Sequence, residues 1–287
     1  MFLIRLLFFF LAAGLSTLLF LKPVSRIVHL SLSQPDASHL LLIPLVAGWL
    51  VYIERSTIFK TTSYELKSAL LFYGIALVFA GLISWRGANA ASEWDLTVYA
   101  LALVLLWIGS FLLAFGNRAA IAANFPLLFL FLFAPIPAPI LNWLIFYLQW
   151  GSAEVTSFLF ELSGIPVLRE GFVFRLPRYS IEIAKECSGI RSSVALFILT
   201  VIVAHFTLRT FWRRVLFVAI GLLVMLVKNG VRIFTLSALA NYVNPDFLFG
   251  RLHHQGGVVF FILGLLVLYP VLLFLMRTES ISGQPIH

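Results

Sequence analysis

Apolar runs at about 2–21, 39–53, 68–85, 97–115, 119–134, 139–162, 187–207, 212–241 and 256–276 take up most of the chain. A bilayer crossing needs roughly 20 mostly apolar residues, so the pattern leaves room for about eight or nine spans and for no sizeable soluble domain. Period and length read as helix throughout, apart from the segment 163–186. Only 11% of the residues are charged, against about 25% in an ordinary soluble domain. The class is therefore an all-α polytopic membrane protein. The run at 39–53 is short for a full crossing and is expected to extend into its flanks. The run from Phe2 to Leu21 lacks an A-x-A-like cleavage site and reads as a first, retained span.

The net charge of +8 would point to nucleic acid in a soluble protein. Here the basic residues are scattered between apolar runs with no polybasic block, which is the pattern of membrane flanks and not of nucleic-acid binding. The single cysteine rules out an internal disulfide and any multi-Cys metal site. One integral membrane domain over 1–287 is expected. It has N-terminal spans in 1–96, a core of spans in 97–276 that includes an outer segment 135–186, and a tail at 277–287.

Pro135-Ile136-Pro137-Ala138-Pro139 breaks the helix ahead of 139–162. The run at 139–162 itself mixes Asn142, Trp143, Tyr147, Gln149, Trp150, Glu154 and Glu161 with apolar residues. That is the make-up of an amphipathic helix lying in the interface; a spanning helix would bury costly groups. Read so, the chain has about eight spans, and both termini share a side. The Arg55/Lys60/Lys67 and Arg209/Arg213/Arg214 loops then face the same compartment as Arg5, Arg118 and Arg277. The excess of basic residues there makes it the cytoplasm and puts residue 187 at the outer face. Between 163 and 186, the alternation of Phe172, Phe174 and Leu176 with Val173 and Arg175, and of Ile181 and Ile183 with Glu182, is a strand signal. A small outer β-hairpin is expected to deliver the chain to Cys187.

Cys187 opens the stretch Cys187-Ser188-Gly189-Ile190-Arg191, where polar, turn-rich sequence gives way to an apolar run. A helix N-terminus with cationic neighbours lowers a thiol pKa, and Arg191 is expected one turn along the same face. The competing reading is inert packing, the common fate of a free cysteine. Two further spans bring unusual groups to the same level. Arg232 is an intramembrane charge, a functional marker by default, set against the plainer reading of a snorkelling arginine. Lys228 lies one turn deeper on the same face, with Asn229 beside it. His253 and His254 open the last span, where either imidazole can act as a base near neutral pH; an interfacial histidine with no catalytic task is the plain alternative. A thiol, a fixed cation and a titratable base are the parts of acyl transfer through a thioester.

At these residues the sequence resembles the exosortase/archaeosortase family of membrane cysteine transpeptidases. The likeness is carried by Cys187-Ser188-Gly189-Ile190-Arg191, by Asn229-Gly230-Val231-Arg232-Ile233, and by His253 with Gly257. Pro135-Ile136-Pro137 and the stretch from Gly164 to Gly171 add to it. The resemblance implies cleavage of a C-terminal sorting signal, made of a short motif such as Pro-Glu-Pro, a transmembrane helix and a basic tail. It also implies transfer of the exported protein to an acceptor, with lipid or glycolipid among the candidates. The setting implied is a bacterial cytoplasmic membrane, with the site at its outer face. By position, Cys187 would be the nucleophile, Arg232 the stabilising cation and His253 the acid/base, with His254 adjacent. Arg169, Glu170, Arg191, Lys228 and Asn229 are the candidates for substrate contact. No cofactor or metal is expected, since adjacent histidines lack ligand spacing and carboxylates are sparse. A carrier or channel whose anion path is lined by Arg232 and Lys228 is the alternative. A hydrolase using the same residues with water is a further one.

Overall fold

The computed structural model describes residues 2–85, 87, 92–244 and 251–281, with side chains for all of these except 186–187, 251–256 and 280–281. The chain forms two compact units, Met1–Ile140 and Leu141–His287.

The first unit holds α1 (Phe2–Leu19), α2 (Leu21–Ser33), α3 (Leu42–Ile53), the single turn α4 (Arg55–Ile58), α5 (Leu66–Trp85), α6 (Glu93–Ala122) and α7 (Asn124–Phe129). A 3-10 turn, Leu130–Phe133, follows α7. α6 is its centre. A capping box between Ser92 and Asp95 starts it, satisfying donors that a helix N-terminus otherwise leaves open. It is interrupted at Gly116, whose φ is +85°. A side chain there would meet the Ser63 carbonyl at 2.7 Å, so the break lets the chain at Ser63 lie against the helix. The carbonyls that the break releases find new donors: Ser63 N–H reaches Phe115 O at 3.1 Å, and Arg5 Nη1 reaches Ala114 O at 3.0 Å. Arg5 is correspondingly buried, with its guanidinium over the Tyr64 ring. An arginine expected at a membrane flank is thus spent on the backbone of a broken helix.

The second unit contains most of α8 (Ala138–Ser163), strands β1 (Leu168–Glu170), β2 (Val173–Arg175) and β3 (Ser180–Glu182), and a 3-10 turn (Lys185–Ser188). After it come α9 (Ile190–Thr207), α10 (Phe211–Tyr242) and α11 (Arg251–Ile281). The strands form an antiparallel sheet in the order β1-β2-β3, with Glu170 opposite Val173 and Phe174 opposite Ile181. The expected hairpin therefore has a third member, because Leu168-Arg169-Glu170 also pairs. Gly171, at φ +63°, supplies the left-handed residue that a two-residue hairpin turn needs.

Six helices are long and apolar enough to cross a membrane among the described residues, or up to seven if the broken pair Asn124–Phe133 and Ala138–Ser163 counts as one. The expectation of eight is not reproduced, for two local reasons. The run at 39–53 yields only the short α3. The run at 119–134 is divided between the end of α6, α7 and a 3-10 turn. On the far side of the second unit, Glu279 of α11 accepts hydrogen bonds from the backbone N–H groups of Arg209 and Thr210, and Arg213 sits 3.5 Å from the same carboxylate. This fastens the α9–α10 connection to the end of α11.

Candidate active site

Every candidate catalytic or substrate-contact residue read from the sequence belongs to the second unit. Cys187 lies in the 3-10 turn, ahead of α9, and not inside its first turn. Gly189 separates the two with φ +73°, a left-handed conformation that costs other residues roughly 1–2 kcal/mol. The expectation that Cys187 and Arg191 share a helix face fails for that reason: the backbone changes direction between them. The Cys187 side chain lies outside the described residues, as do those of His253 and His254.

The turn is held from three directions. From upstream, the buried Ile183 ties it to the sheet and to α8. The Ile183 N–H donates to Phe172 O at 3.0 Å, and its carbonyl accepts from Gln149 Nε2 at 2.7 Å. From one side comes Asn229 of α10. A methyl on Gly189 would stand 2.7 Å from its Oδ1, while its Nδ2 donates to Ser152 Oγ on α8 at 3.0 Å. From the other comes Lys228, whose Nζ donates to Ser192 Oγ at 2.6 Å. Ser192 in turn bonds Gly189 O at 3.0 Å. Lys228 and Asn229 are 7% and 2% exposed, so both are turned into protein.

α8 and α10 can bring these groups together because small residues line their crossing. A side chain at Gly230 would strike Val155 Cβ at 2.5 Å, and one at Gly151 would meet Leu226 Cδ2 at 2.9 Å. Thr156, fully buried, has its hydroxyl 2.7 Å from Ser152 O and 3.2 Å from Gly230 O, within reach of both carbonyls. Small residues of this kind let helix backbones approach closely in membrane proteins. The sheet covers the other flank of α8, packing Phe174, Leu176 and Ile183 with Ala153, Phe160 and Ile233.

Arg232 is partly exposed and sits one turn beyond Lys228 on α10, about 6 Å of helix rise. Arg191 is exposed at the start of α9. Arg169 pairs with Glu154 of α8 at 2.8 Å and donates to Gly171 O, and Glu170 pairs with Arg175 at 2.7 Å; both residues are engaged in fixing the sheet. His253 and His254 fall in the first turn of α11. Gly264 of that helix lies beside the Lys228 stem, and roughly 16 Å of helix rise separates it from His253. By helix rise, then, the histidines stand farther from the level of Lys228 than Arg232 does, while Gly189 and Asn229 are in direct register. Among the described residues no group of three or more His, Cys, Asp or Glu could hold a metal ion.

A sequence model of the transmembrane exosortase family matches residues 28–270. The chain belongs to that family. No curated protein and no solved structure matches it significantly. It is a multi-pass membrane protein by its apolar helices as well as by this kinship. In this exosortase, sequence reading had no role for Gln149, Ser152 or Ser192, which brace the cysteine turn, nor for Thr156, which joins α8 to α10. A signal for the α8 residues was present in Gly151-Ser152-Ala153, a run of small residues suited to a helix crossing. None was available for Ser192, whose role depends on where Lys228 ends.

Proposed function

We propose that this exosortase is a cysteine transpeptidase that cuts a C-terminal sorting signal on exported proteins. The observation that carries the reading is the bracing of the Cys187 turn by α8, α9 and α10 within a chain of this family. A nucleophile held on a fixed turn loses little freedom on reaching the transition state. The Cys187 thiolate attacks the carbonyl carbon of the scissile peptide. Arg232 holds the oxyanion that forms. The C–N bond then breaks, and the leaving amine takes a proton from the imidazolium of His253. The resulting thioester is attacked by an acceptor hydroxyl or amine, which gives its proton to His253 and releases the thiolate. The substrate is a membrane-anchored protein whose apolar helix docks in the bilayer and brings its motif to the outer face. Arg191, exposed beside the turn, is the residue best placed to meet an acidic motif. Arg169 and Glu170 serve the sheet, and Lys228 and Asn229 serve the turn.

Co-expression with a signal-bearing substrate, followed by mass analysis of its new C-terminus, tests the reading. Cys187→Ala and Cys187→Ser are expected to abolish processing while the protein remains inserted. His253→Ala is expected to lose more than His254→Ala. Processing by the cysteine variants at the normal rate would remove the enzyme assignment, and reversed losses at the histidines would exchange their roles.

A further inference from the structure

We propose that Lys228 is a positioning residue: through the Ser192 hydroxyl its ammonium holds the Gly189 carbonyl, and with it the left-handed turn that carries Cys187. The inference rests on the reading of Cys187 as the nucleophile. A cation among apolar helices is costly, and at 7% exposure Lys228 has little water to meet that cost. Its stem runs past Gly264 of α11, where an added methyl would lie 3.5 Å from Lys228 Cδ and 3.7 Å from Leu196 Cδ2 of α9. Its head ends 2.6 Å from Ser192 Oγ.

The direction of the hydrogen bonds follows from chemistry. An ammonium only donates, and a hydroxyl has one proton to give. Ser192 must therefore accept from Lys228 and spend its own proton on Gly189 O, 3.0 Å away. That carbonyl also accepts the first bond of α9, from Ser193 N at 2.9 Å. Bonds to a charged donor are about twice as strong as neutral ones, and a chain of them is mutually strengthened. Lys228 and Asn229 are adjacent, so one turn of α10 grips Gly189 by its carbonyl and by its Cα at once. A buried cation near the turn also favours a thiolate over a thiol. Other charged or titratable groups on the surrounding elements include Arg191 near the start of α9, Arg232 on α10, Lys185 and Glu186 in the turn, and Arg251, His253 and His254 at the start of α11, while His205, Arg213, Arg214, Arg277 and Glu279 lie toward the opposite ends of those helices. Glu154 on α8 is paired with Arg169.

The only cysteine of the chain makes maleimide labelling a direct readout of this turn in the full-length protein in liposomes. Lys228→Met is expected to raise the pH midpoint of labelling by about one unit and to slow labelling at neutral pH roughly tenfold, one unit being a tenfold change in thiolate. Lys228→Arg should restore most of the loss. Ser192→Ala should move the midpoint in the same direction, and adding it to Lys228→Met should change nothing further. Ser193→Ala, which removes a buried hydroxyl with no hydrogen-bond partner among the described residues, should label like the parent. Parental labelling by Lys228→Met, or additive losses in the double variant, would overturn the proposal. Should Lys228→Met fail to insert, an unshifted midpoint in Ser192→Ala would overturn it alone. Labelling needs no substrate, so a shifted midpoint in a protein whose Cys187→Ala variant still processes would sustain the relay and reject the transpeptidase.

Discussion

Gly189 is caught between two requirements, a positive φ and contact with the Asn229 amide. Alanine there meets both penalties. Left-handed strain and the clash together predict a loss of about 1–3 kcal/mol for Gly189→Ala, measured by denaturation of the full chain in detergent. Adding Asn229→Ala removes the clash but not the strain, so the double variant should recover part of the loss relative to the sum of the single ones. Purely additive effects would show that the two residues do not touch. The chemistry-bearing residue types were legible in the sequence, because a lone cysteine and intramembrane cations stand out against apolar neighbours. The turn geometry was not. Hydrophobic period reports which face a residue takes and is blind to φ, so Arg191 looked like a helical neighbour of Cys187 when a left-handed glycine divides them.

α8 shows how partners change the meaning of a polar residue. Gln149, Glu154 and Glu161, taken singly, argued for a helix lying in the interface and against a spanning one. The structure buries Gln149 and satisfies it with Ile183 O, gives Glu154 to Arg169, and leaves Glu161 exposed. Both partners come from the sheet segment just downstream, which no local pattern in α8 announces. Apart from Gly151, which meets Leu226 of α10, its buried positions, Ile145, Gln149, Ser152, Ala153, Thr156 and Phe160, trace one helical face. That face makes the crossing with α10 at Gly230. Gly230→Ala is expected to cost about 1–3 kcal/mol through overpacking against Val155 and to lower processing, since the crossing carries Asn229 to the turn. Val155→Ala in the same chain should relieve most of it. Thermal denaturation of the two single variants and the double variant measures the coupling, and an unrelieved loss would place the strain elsewhere.

For the whole molecule, the succession of apolar runs was enough to announce a helical membrane protein, and the site falls inside one compact unit, Leu141–His287. Counting runs gave more spans than the six or seven stretches among the described residues that are long and apolar enough to cross, because a run records apolar content alone. It cannot show that α6 is broken at Gly116, or that the chain after it passes into the short α7 and a 3-10 turn before Pro135. The same limit hid the use of Arg5 inside the first unit. What remains is whether the braced turn of the second unit forms a covalent bond with substrate. Full-length protein mixed with a signal-bearing substrate, quenched in acid and digested, can be searched by mass spectrometry for an acyl group on the Cys187 peptide. A hydroxylamine-labile adduct that carries the substrate up to its cut site, and is absent from Cys187→Ala, is the predicted result. Cleaved substrate with no such adduct, produced equally by Cys187→Ala, would contradict it.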